Sequence, residues 1–526
     1  MGNIRVLDCT LRDGGYCNQW AFGKNNTKKI IGGLVEAGID IIECGFLTNN
    51  VVYNEDVTKY TTLQEVSRML PENREGRLFV CMVNYGEYNL DDLPDYDGLS
   101  IDGIRVAFHK KDMIPALEFC KGIKAKGYKV FVQAMVSLNY SDEEFLELIN
   151  CANQLGPYAF YIVDSFGVMK RNDLIRLFYV VEHNLKNGIS IGYHSHNNMQ
   201  LAYSNAQALT DIRSNRDIIV DSSVFGMGRG AGNLNSELFV EYLNDSTGAN
   251  YKLKPLLTII DEILNAFYQQ NYWGYSLPNY LSAKYNTHPN YAGYLDAKKT
   301  LNIEDMDAIF SMMDETKRFN YDKKYIEELY VKYLTKGGVP EERLYELKEY
   351  LRDKDVLIIA PGRSSVQESE KIAEFSRRPD VVTISINFEY TGCETDFIFI
   401  SNLRRYRELD KAKHQKCIAT SNLPAFSCYL RTDYSKLLNE VDFVKDNAGM
   451  MLLKLLIELE VKNVFIAGLD GYSMNISQNF ADNSMSIYAN ESLFAAMNNG
   501  INQVIREYSK KINIVFLTQT RYISLP

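Results

Sequence analysis

Two histidines separated by one residue form the pattern in this sequence that most directly indicates chemistry. His194 and His196 stand in the segment GYHSHNN, at the end of an apolar run. Side chains at positions i and i+2 of a β-strand point to the same side, so both imidazoles could bind one cation. Asp13, which follows an earlier apolar run, could supply a carboxylate oxygen. Two imidazoles, one carboxylate and open positions suit a divalent metal ion, with Mn2+ expected first and Mg2+, Co2+, Fe2+ or Zn2+ as alternatives. A surface HxH without a ligand is the alternative interpretation.

The elements that must position these side chains are short apolar runs, of which eight lie in the first 230 or so residues. Strands covered on both faces read as consecutive apolar residues. The eight runs are Ile4–Cys9, Ile39–Cys44, Leu78–Val83, Ile104–Phe108, Tyr128–Ala134, Phe160–Val163, Ile189–His194 and Ile218–Val224.

Amphipathic segments typical of helices separate most of these runs. The clearest are Lys28–Ala37, Met113–Lys126, Asp142–Leu155 and Leu174–Lys186, and Ser141 is a plausible N-cap for the third. Eightfold strand–helix alternation predicts an α/β fold that begins with a (β/α)8 TIM barrel. Periodicity alone leaves a doubly wound open sheet as an alternative.

Polar residues follow the ends of these predicted strands, where a barrel of this type carries its active site. We expect them to converge on one rim, although more than 200 positions separate the first from the last. They are Arg12, Asp13, Glu43, His109, Asp164, Ser165, His194, His196, Asp221 and the glycine-rich loop Gly226–Asn233. His183, His288 and His414 lie in helical or loop contexts, and we expect them to be structural or exposed.

The second half of the chain changes character. We predict a barrel domain over residues 1–265, a helical connector over 266–352 and a C-terminal Rossmann-like α/β domain over 353–526. A Gly337–Pro340 break interrupts the connector. The expected helices are Ile303–Met313, Lys324–Leu334 and Glu341–Arg352, and the expected strands are Asp355–Ile359, Val381–Ile386, Asp396–Ser401, Lys416–Thr420, Asn463–Ala467 and Ile512–Leu517.

A Gly/Ser loop joins the first strand of this C-terminal domain to a helix. Gly362, Arg363 and Ser364 could present backbone N–H groups to a phosphate. No GxGxxG motif and no Walker lysine are present, so the sequence gives no support for dinucleotide binding. The segments APGRSS, SINF, TDFIFIS and FIAGLDGY faintly resemble nucleotide-sugar-using transferase domains of bacterial glycan pathways. An accessory or docking domain is the alternative.

Composition excludes some classes of function. The formal net charge is -10 and no long block of Lys and Arg occurs, which argues against a nucleic-acid partner. No apolar run is long enough to span a bilayer, and the start of the sequence shows no signal-peptide pattern. The nine cysteines form no CxxC motif. We therefore expect reduced thiols, no membrane association and a cytoplasmic location.

Four motifs together resemble a known family. LDCTLRDGG, VDSFGVM, GYHSHNN and DSSVFGMGRGAGNLNSE are similar to the metal-dependent lyase and synthase barrels related to 3-hydroxy-3-methylglutaryl-CoA lyase, the DRE-TIM metallolyase superfamily. Within that superfamily the sequence is most similar to the 4-hydroxy-2-oxovalerate aldolases. The resemblance covers about residues 1–290, and its four motifs are specific for the fold and the metal site more than for the substrate.

The resemblance implies roles for individual residues. Asp13, His194 and His196 would hold the metal, with Asn233 as a further ligand or near neighbour. Arg12 would stabilise the oxygen on which charge develops, which agrees with the electron flow of a retro-aldol cleavage. Ser165 could hydrogen-bond the carboxylate of a 2-oxo acid or could instead cap its turn. Glu43 and Tyr275 would help to shape the substrate site.

One position departs from the family. The aldolases carry a histidine, the expected base for the 4-hydroxyl group, where this sequence has Tyr16. An unperturbed phenol titrates near 10 and is a poor base at pH 7. Tyr16, His109 or a water therefore stays open as the base.

These observations favour an aldolase that cleaves or forms a carbon–carbon bond between a 2-oxo acid and an aldehyde. An acyl-CoA-dependent Claisen synthase of the same fold and a bifunctional glycan-pathway protein are alternatives. The presence of Arg12 with Asp13, His194 and His196 argues against a barrel that has lost catalysis. A homodimer is expected by analogy with the family.

Overall fold

The chain folds into two compact units in the computed structural model. The structure describes residues 2–298, 301–334, 341–423, 427–482, 485–487 and 489–522. The first unit comprises residues 1–292 and 318–321, and the second comprises residues 293–317 and 322–526. The finer division at residues 265 and 352 stays a prediction, and the Gly337–Pro340 break lies outside the described residues.

Parallel strands of the first unit close into an eight-stranded barrel, because β1 pairs with both β2 and β9. A short ninth strand, β3, pairs with the outer end of β2. The strands are β1 Ile4–Asp8, β2 Ile41–Leu47, β3 Lys59–Tyr60, β4 Leu78–Asn84, β5 Gly103–Phe108, β6 Lys129–Ala134, β7 Ala159–Asp164, β8 Ser190–Ser195 and β9 Ile218–Ser222. This architecture confirms the predicted TIM barrel.

Helices connect the strands of the barrel and continue beyond it. Ser141 caps its helix as predicted, since its hydroxyl accepts the N–H of Glu144 and the Glu144 side chain returns to the Ser141 backbone. The helices are α1 Gly15–Asn18, α2 Lys24–Ala37, α3 Leu63–Ser67, α4 Met113–Ala125, α5 Asp142–Leu155, α6 Arg171–Asn184, α7 Ala202–Thr210, α8 Ser236–Thr247, α9 Leu253–Ile259, α10 Asn265–Gln270 and α11 Leu277–Lys284.

The interior of the barrel contains a polar layer of four side chains. Glu43, Arg105, Tyr161 and Asp221 come from alternate barrel strands, as the layers of such barrels do. Arg105 has no exposed surface; it forms ion pairs with Glu43 and Asp221, and its guanidinium lies 5.0 Å from the centre of the Tyr161 ring. Branched apolar residues usually fill these layers, so a charged layer must serve another purpose.

The second unit contains a seven-stranded sheet in which every strand pair is parallel. Its strands are β10 Asp355–Ile359, β11 Val381–Ile386, β12 Phe397–Ile400, β13 Cys417–Thr420, β14 Leu430–Thr432, β15 Asn463–Ala467 and β16 Asn513–Phe516, in the order β14-β13-β12-β11-β10-β15-β16. The six predicted strands all occur, and the short edge strand β14 was not predicted. From β10 the strand order runs outward to β14, and the chain then returns to add β15 and β16 on the other side of β10. Doubly wound sheets bind their ligands at such a reversal of strand order.

Helices complete the remaining chain. They are α12 Pro289–Ala297, α13 Ile303–Ser311, α14 Lys323–Leu334, α15 Glu341–Leu351, α16 Ser364–Gln367, α17 Ser369–Ser376, α18 Leu403–Glu408, α19 Tyr434–Leu437, α20 Ala448–Glu458 and α21 Glu491–Tyr508. Across the described part of the chain, none of the helices combines the length and apolarity needed to cross a bilayer.

We expect Gly192→Ala to destabilise the barrel by about 1 to 3 kcal/mol. A Cβ at residue 192 would lie 2.2 Å from the ring of Tyr161, which packs against Arg105 and cannot withdraw freely. The free energy of unfolding in urea measures the effect.

The matched control is Gly32→Ala, on the exposed side of α2, where an added Cβ meets nothing within 4 Å. This substitution should stabilise the chain by roughly 0.5 kcal/mol, because glycine is unfavourable inside a helix. Equal unfolding free energies for the two variants would contradict the tight packing of Tyr161.

Candidate metal centre

Three buried side chains converge at the carboxyl end of the barrel. Asp13 follows β1, where its N–H donates to the carbonyl of Cys9. His194 belongs to β8, and His196 follows that strand directly. One ligand atom from each of the three lies within 4.8 Å of the other two. The structure thus brings together the three residues predicted to hold a metal.

The free nitrogen atoms of the two imidazoles fit a cation. Nδ1 of His194 lies 2.9 Å from Oδ2 of Asp221, so a proton on Nδ1 leaves the lone pair of Nε2 available. Nδ1 of His196 is buried without a hydrogen-bond partner and lies 3.7 Å from Oδ2 of Asp13. A buried nitrogen without a partner is costly, and a metal ion at this point would satisfy it.

The protonation states of these residues also suit metal binding. Burial lowers the pKa of the His196 imidazole to about 3, although the Asp13 carboxylate opposes this shift. Burial alone would raise the pKa of the Asp13 carboxyl, but attraction to Arg12 and then to the two histidines outweighs it and lowers that pKa. At neutral pH the site therefore offers a neutral imidazole and a carboxylate, the forms that bind divalent metals.

A run of buried ion pairs connects Asp13 to His194 through the barrel interior. Arg12 donates from Nη1 to Asp13 at 2.5 Å and from Nε to Glu43 at 2.9 Å. The same Glu43 oxygen lies 2.7 Å from Nη1 of Arg105, which pairs through Nη2 with Asp221. Asp221 in turn orients His194. The polar layer of the barrel therefore holds Asp13, His194 and Arg12 in place.

Asn233 lies against Asp13 as well. Its Nδ2 donates to Oδ2 of Asp13 at 2.8 Å, while its Oδ1 is buried without a hydrogen-bond partner. Gly228 leaves room for this contact, since a Cβ there would lie 2.3 Å from Nδ2 of Asn233 and 2.7 Å from Oδ2 of Asp13. Asn233 is placed as a near neighbour of the centre, and its carbonyl oxygen is a further oxygen donor.

Arg229 and its contacts form the rim of the centre. The guanidinium lies 5.3 Å from the centre of the Tyr16 ring, and its Nη2 donates to the carbonyl of Ser165 at 3.3 Å. Its Nη1 lies 3.4 Å from Nε2 of His288. His109 is half-buried nearby, and burial, with smaller effects from Lys111 and Arg229, lowers the pKa of its imidazole.

Comparisons with known proteins agree with this site. Residues 110–261 match the model of the HMGL-like family. A 4-hydroxy-2-oxovalerate aldolase from Carboxydothermus hydrogenoformans is 29% identical over 245 residues, which are 46% of this chain and 70% of that protein. These findings support the predicted similarity of the barrel unit to the HMGL-like barrels of the DRE-TIM metallolyase superfamily.

Two further relatives have different activities in their names. A 4-hydroxy-2-oxovalerate aldolase from Geobacillus genomosp. 3 is 26% identical over 46% of this chain and 70% of its own length. An oxaloacetate decarboxylase from Mycobacterium tuberculosis is also 26% identical, over 45% of this chain and 69% of its own length. The solved N-terminal domain of a Bacteroides vulgatus protein is 28% identical and aligns over 56% of this chain and 97% of that domain, with a TM-score of 0.49.

The other predicted site residues differ in their position relative to the centre. Tyr16, His109 and Ser165 lie at the rim, where the Ser165 hydroxyl accepts the N–H of Val136. Glu43 is fully buried between two arginines, so its geometry assigns it to positioning Arg12, although its Oε1 has no hydrogen-bond partner. Tyr275 is 56% exposed in the turn after α10 and makes no hydrogen bond with the described residues of the centre.

The predicted phosphate loop of the second unit already contacts an anion. Ser364 donates its N–H at 2.7 Å and its hydroxyl at 2.5 Å to the carboxylate of Asp470. A phosphate at Ser364 would meet that negative charge, which opposes the predicted role. The roles of Gly362 and Arg363 stay predictions.

Sequence reasoning missed Arg105, and it placed Asp221 and Arg229 at the rim without assigning them roles. Arg105 interrupts an apolar strand with a charge, a signal that could have marked it as a buried polar residue but could not have identified its partner. Arg229 was identified only as one residue of the glycine-rich loop. His288, expected to be structural or exposed, instead contacts Arg229 at the rim, because the chain returns there more than fifty residues later.

We expect Asp221→Asn to weaken Mn2+ binding by about tenfold to a hundredfold. The substitution keeps the shape of the side chain but removes the charge that fixes the Nδ1 proton of His194. Calorimetric titration of Mn2+ into chelator-stripped protein measures the affinity. Asp245→Asn, an exposed carboxylate of α8, is the matched control. Equal Mn2+ affinities for the two variants would rule out orientation by Asp221.

Proposed function

We propose that the barrel is a divalent-metal-dependent aldolase that cleaves or forms a carbon–carbon bond of a 4-hydroxy-2-oxo acid. The observation that carries this proposal is the position of Arg12 beside the buried Asp13, His194 and His196 cluster. The HMGL-like family and the similarity to named aldolases support the lyase class. Mn2+ is the proposed metal, since two imidazoles and hard oxygen donors suit it.

Asp13, His194 and His196 would hold the cation, with the carbonyl oxygen of Asn233 as an additional donor. When bound, the cation acts as a Lewis acid that polarises the 2-oxo group and lowers the barrier to bond cleavage. The protein contributes the donor set, its burial and the fixed orientation of His194 by Asp221.

We propose that Arg12 stabilises the negative charge that the cleavage creates. Its Nη1 and Nε are held by Asp13 and Glu43, while its Nη2 is buried without a hydrogen-bond partner. A donor fixed in this way need not reorganise when an oxygen becomes negative, which is the origin of most electrostatic catalysis. We assign Nη2 to the oxygen of the enolate.

The cleavage moves one proton and one electron pair. The base removes the proton of the 4-hydroxyl group, that oxygen forms the carbonyl of the aldehyde, and the C3–C4 bond breaks. The electron pair of this bond forms the enolate of the 2-oxo acid. Return of the proton to C3 gives pyruvate or its homologue, and the reverse sequence forms the bond.

His109 is the better of the two predicted bases. Burial holds its imidazole neutral at pH 7, so one ring nitrogen can accept a proton. The guanidinium of Arg229 lies over the ring of Tyr16, and Tyr16 is 42% exposed. Both features suit a role in contacting substrate. We therefore propose His109 as the base and Tyr16 as a rim contact.

A metal-dependent cleavage assay tests the proposed function. Chelator-stripped protein reloaded with Mn2+ should release pyruvate from at least one of a panel of 4-hydroxy-2-oxo acids, and His194→Ala should abolish the release. His183→Ala, on α6 where the ring stacks on Tyr179, is the matched control and should retain it. His109→Ala should lower kcat more than Tyr16→Phe does.

Failure to release pyruvate would lead to a test of the alternative function, a Claisen synthase. If no acid in the panel gives pyruvate while Mn2+ binds stoichiometrically, the aldolase proposal fails. Release of free CoA thiol from an acyl-CoA donor and a 2-oxo acid would then favour the Claisen synthase of the same fold. A homodimer and a cytoplasmic location stay predictions.

A second candidate function belongs to the second unit. A cavity of about 220 Å³ opens at the carboxyl edge of its sheet, at the reversal point beside β10. Its lining includes Asn387, Arg405, Asn447, Tyr472 and Tyr522. It also includes Asp470, the carboxylate that Ser364 contacts, so a phosphate would have to lie towards Arg405. Open α/β sheets bind small molecules at this place, so we propose it for a nucleotide sugar or a sugar phosphate.

Thermal unfolding of the full chain tests this second function. Saturating nucleotide sugar should raise the unfolding temperature, since ligand at a hundred times its Kd stabilises by about 2.7 kcal/mol. Ala448→Phe, which fills the cavity, should abolish the shift, whereas the exposed Ala412→Phe should not. A shift that survives Ala448→Phe but disappears in Arg363→Ala would place the ligand at the predicted loop instead. No shift with any nucleotide sugar or sugar phosphate would overturn this function.

A further inference from the structure

Arg229 is a positive charge at the rim without a carboxylate partner. Its hydrogen bonds go to the carbonyl of Ser165 and towards Nε2 of His288, and its Nε is buried without a partner. Within the described ranges of the chain, Arg229 forms no ion pair. A half-buried guanidinium without a counter-ion has lost part of its hydration, and an anionic ligand would compensate for that loss.

The groups around Arg229 leave this charge uncompensated. Tyr16 presents the face of its ring, and His288 and His109 present imidazoles. Burial lowers the pKa of His288 to about 3, with further lowering by Arg229, so this imidazole is neutral. Asp13 is the carboxylate that approaches the loop, but it accepts the backbone N–H of Arg229 at 3.4 Å and already pairs with Arg12.

The metal centre beneath Arg229 does not supply the missing negative charge. Its three carboxylates, Asp13, Glu43 and Asp221, face the two guanidinium groups of Arg12 and Arg105. A divalent cation leaves this group with one positive charge. The carboxylate of a 2-oxo acid neutralises that charge, and the charge of Arg229 still remains.

We propose that Arg229 binds a second anionic group of the substrate, a carboxylate or phosphate carried by the aldehyde portion. This inference rests on the proposed aldolase function. The loop that holds Asn233 against Asp13 also carries Arg229, whose guanidinium contacts the carbonyl of Ser165 and Nε2 of His288 at the rim. The aldehyde end of a substrate bound through its 2-oxo acid group would extend towards this rim.

Arginine is suited to this role for a chemical reason. Its planar guanidinium can offer two parallel N–H groups to a carboxylate or phosphate, a geometry that lysine cannot reproduce. The ring of Tyr16 supports the guanidinium from one face, which limits its rotation. Arg229 would thus select the substrate, while Arg12 stabilises the charge that develops in the reaction.

Condensation of pyruvate with a set of aldehydes tests the proposal on the full-length, Mn2+-loaded protein. Acetaldehyde is uncharged, glyoxylate and succinic semialdehyde carry a carboxylate, and glycolaldehyde phosphate carries a phosphate. The native chain should use at least one anionic aldehyde with a higher kcat/KM than acetaldehyde. Preference for the carboxylates or for the phosphate identifies the anion.

Arg229→Gln should lower kcat/KM for the preferred anionic aldehyde by about tenfold to a hundredfold more than for acetaldehyde. Arg229→Lys should restore part of that loss. The matched control, Arg213→Gln, removes the same charge from an exposed position and should leave the preference intact. An equal loss for all aldehydes would overturn the proposal, because Arg229 would then act on the 2-oxo acid or on folding. A native chain without preference for an anionic aldehyde would overturn it too.

Binding to the metal-free protein separates this proposal from the aldolase function. Titration calorimetry of succinate and inorganic phosphate into chelator-stripped protein should show about tenfold weaker binding of one of them to Arg229→Gln than to the native chain. If no aldehyde condenses but this difference is present, the aldolase function fails and the anion site stands. Equal binding to both proteins would overturn the anion site.

Discussion

The buried run of alternating charges inside the barrel is the interaction on which the rest of the site depends. It passes from Asp13 to His194, two of the three candidate metal ligands, through five contacts: Asp13–Arg12, Arg12–Glu43, Glu43–Arg105, Arg105–Asp221 and Asp221–His194. Removing one partner from such a run leaves an uncompensated charge in the interior and costs about 3 to 5 kcal/mol. The charges are therefore stable as a set, and the set forms only when four barrel strands and the loop after β1 are correctly assembled.

This arrangement explains how the protein keeps the guanidinium of Arg12 in a fixed orientation. Two carboxylates hold Nε and Nη1 of Arg12, and Nη2 is buried beside them without a hydrogen-bond partner among the described residues. Gly228 adds to this precision, because the absence of a side chain there allows Asn233 to reach Asp13. Rigid support of this kind is what positions a catalytic group to a fraction of an ångström.

The sequence was sufficient to predict the barrel and the convergence of Asp13, His194 and His196, because both depend on local patterns. Consecutive apolar residues revealed the strands, and the spacing of His194 and His196 placed two imidazoles on one face. The partnership of Arg105 with Asp221 could not be predicted in the same way, since 116 positions separate them and only closure of the barrel makes them neighbours. The same applies to Arg229 and His288. The edge strand β14 was missed because three residues give too short a pattern.

Arg12 and Arg229 differ in how easily a substitution could replace them during evolution. Arg12 is bound into a set of charges whose members can change only together, so its loss would require simultaneous substitutions in several strands. Arg229 lies in a loop whose other contacts are a backbone carbonyl, an imidazole and an aromatic ring, none of which would be left as a buried charge without it. A lineage of such barrels would therefore diversify in what it accepts by single steps at position 229, while its reaction chemistry stayed inherited.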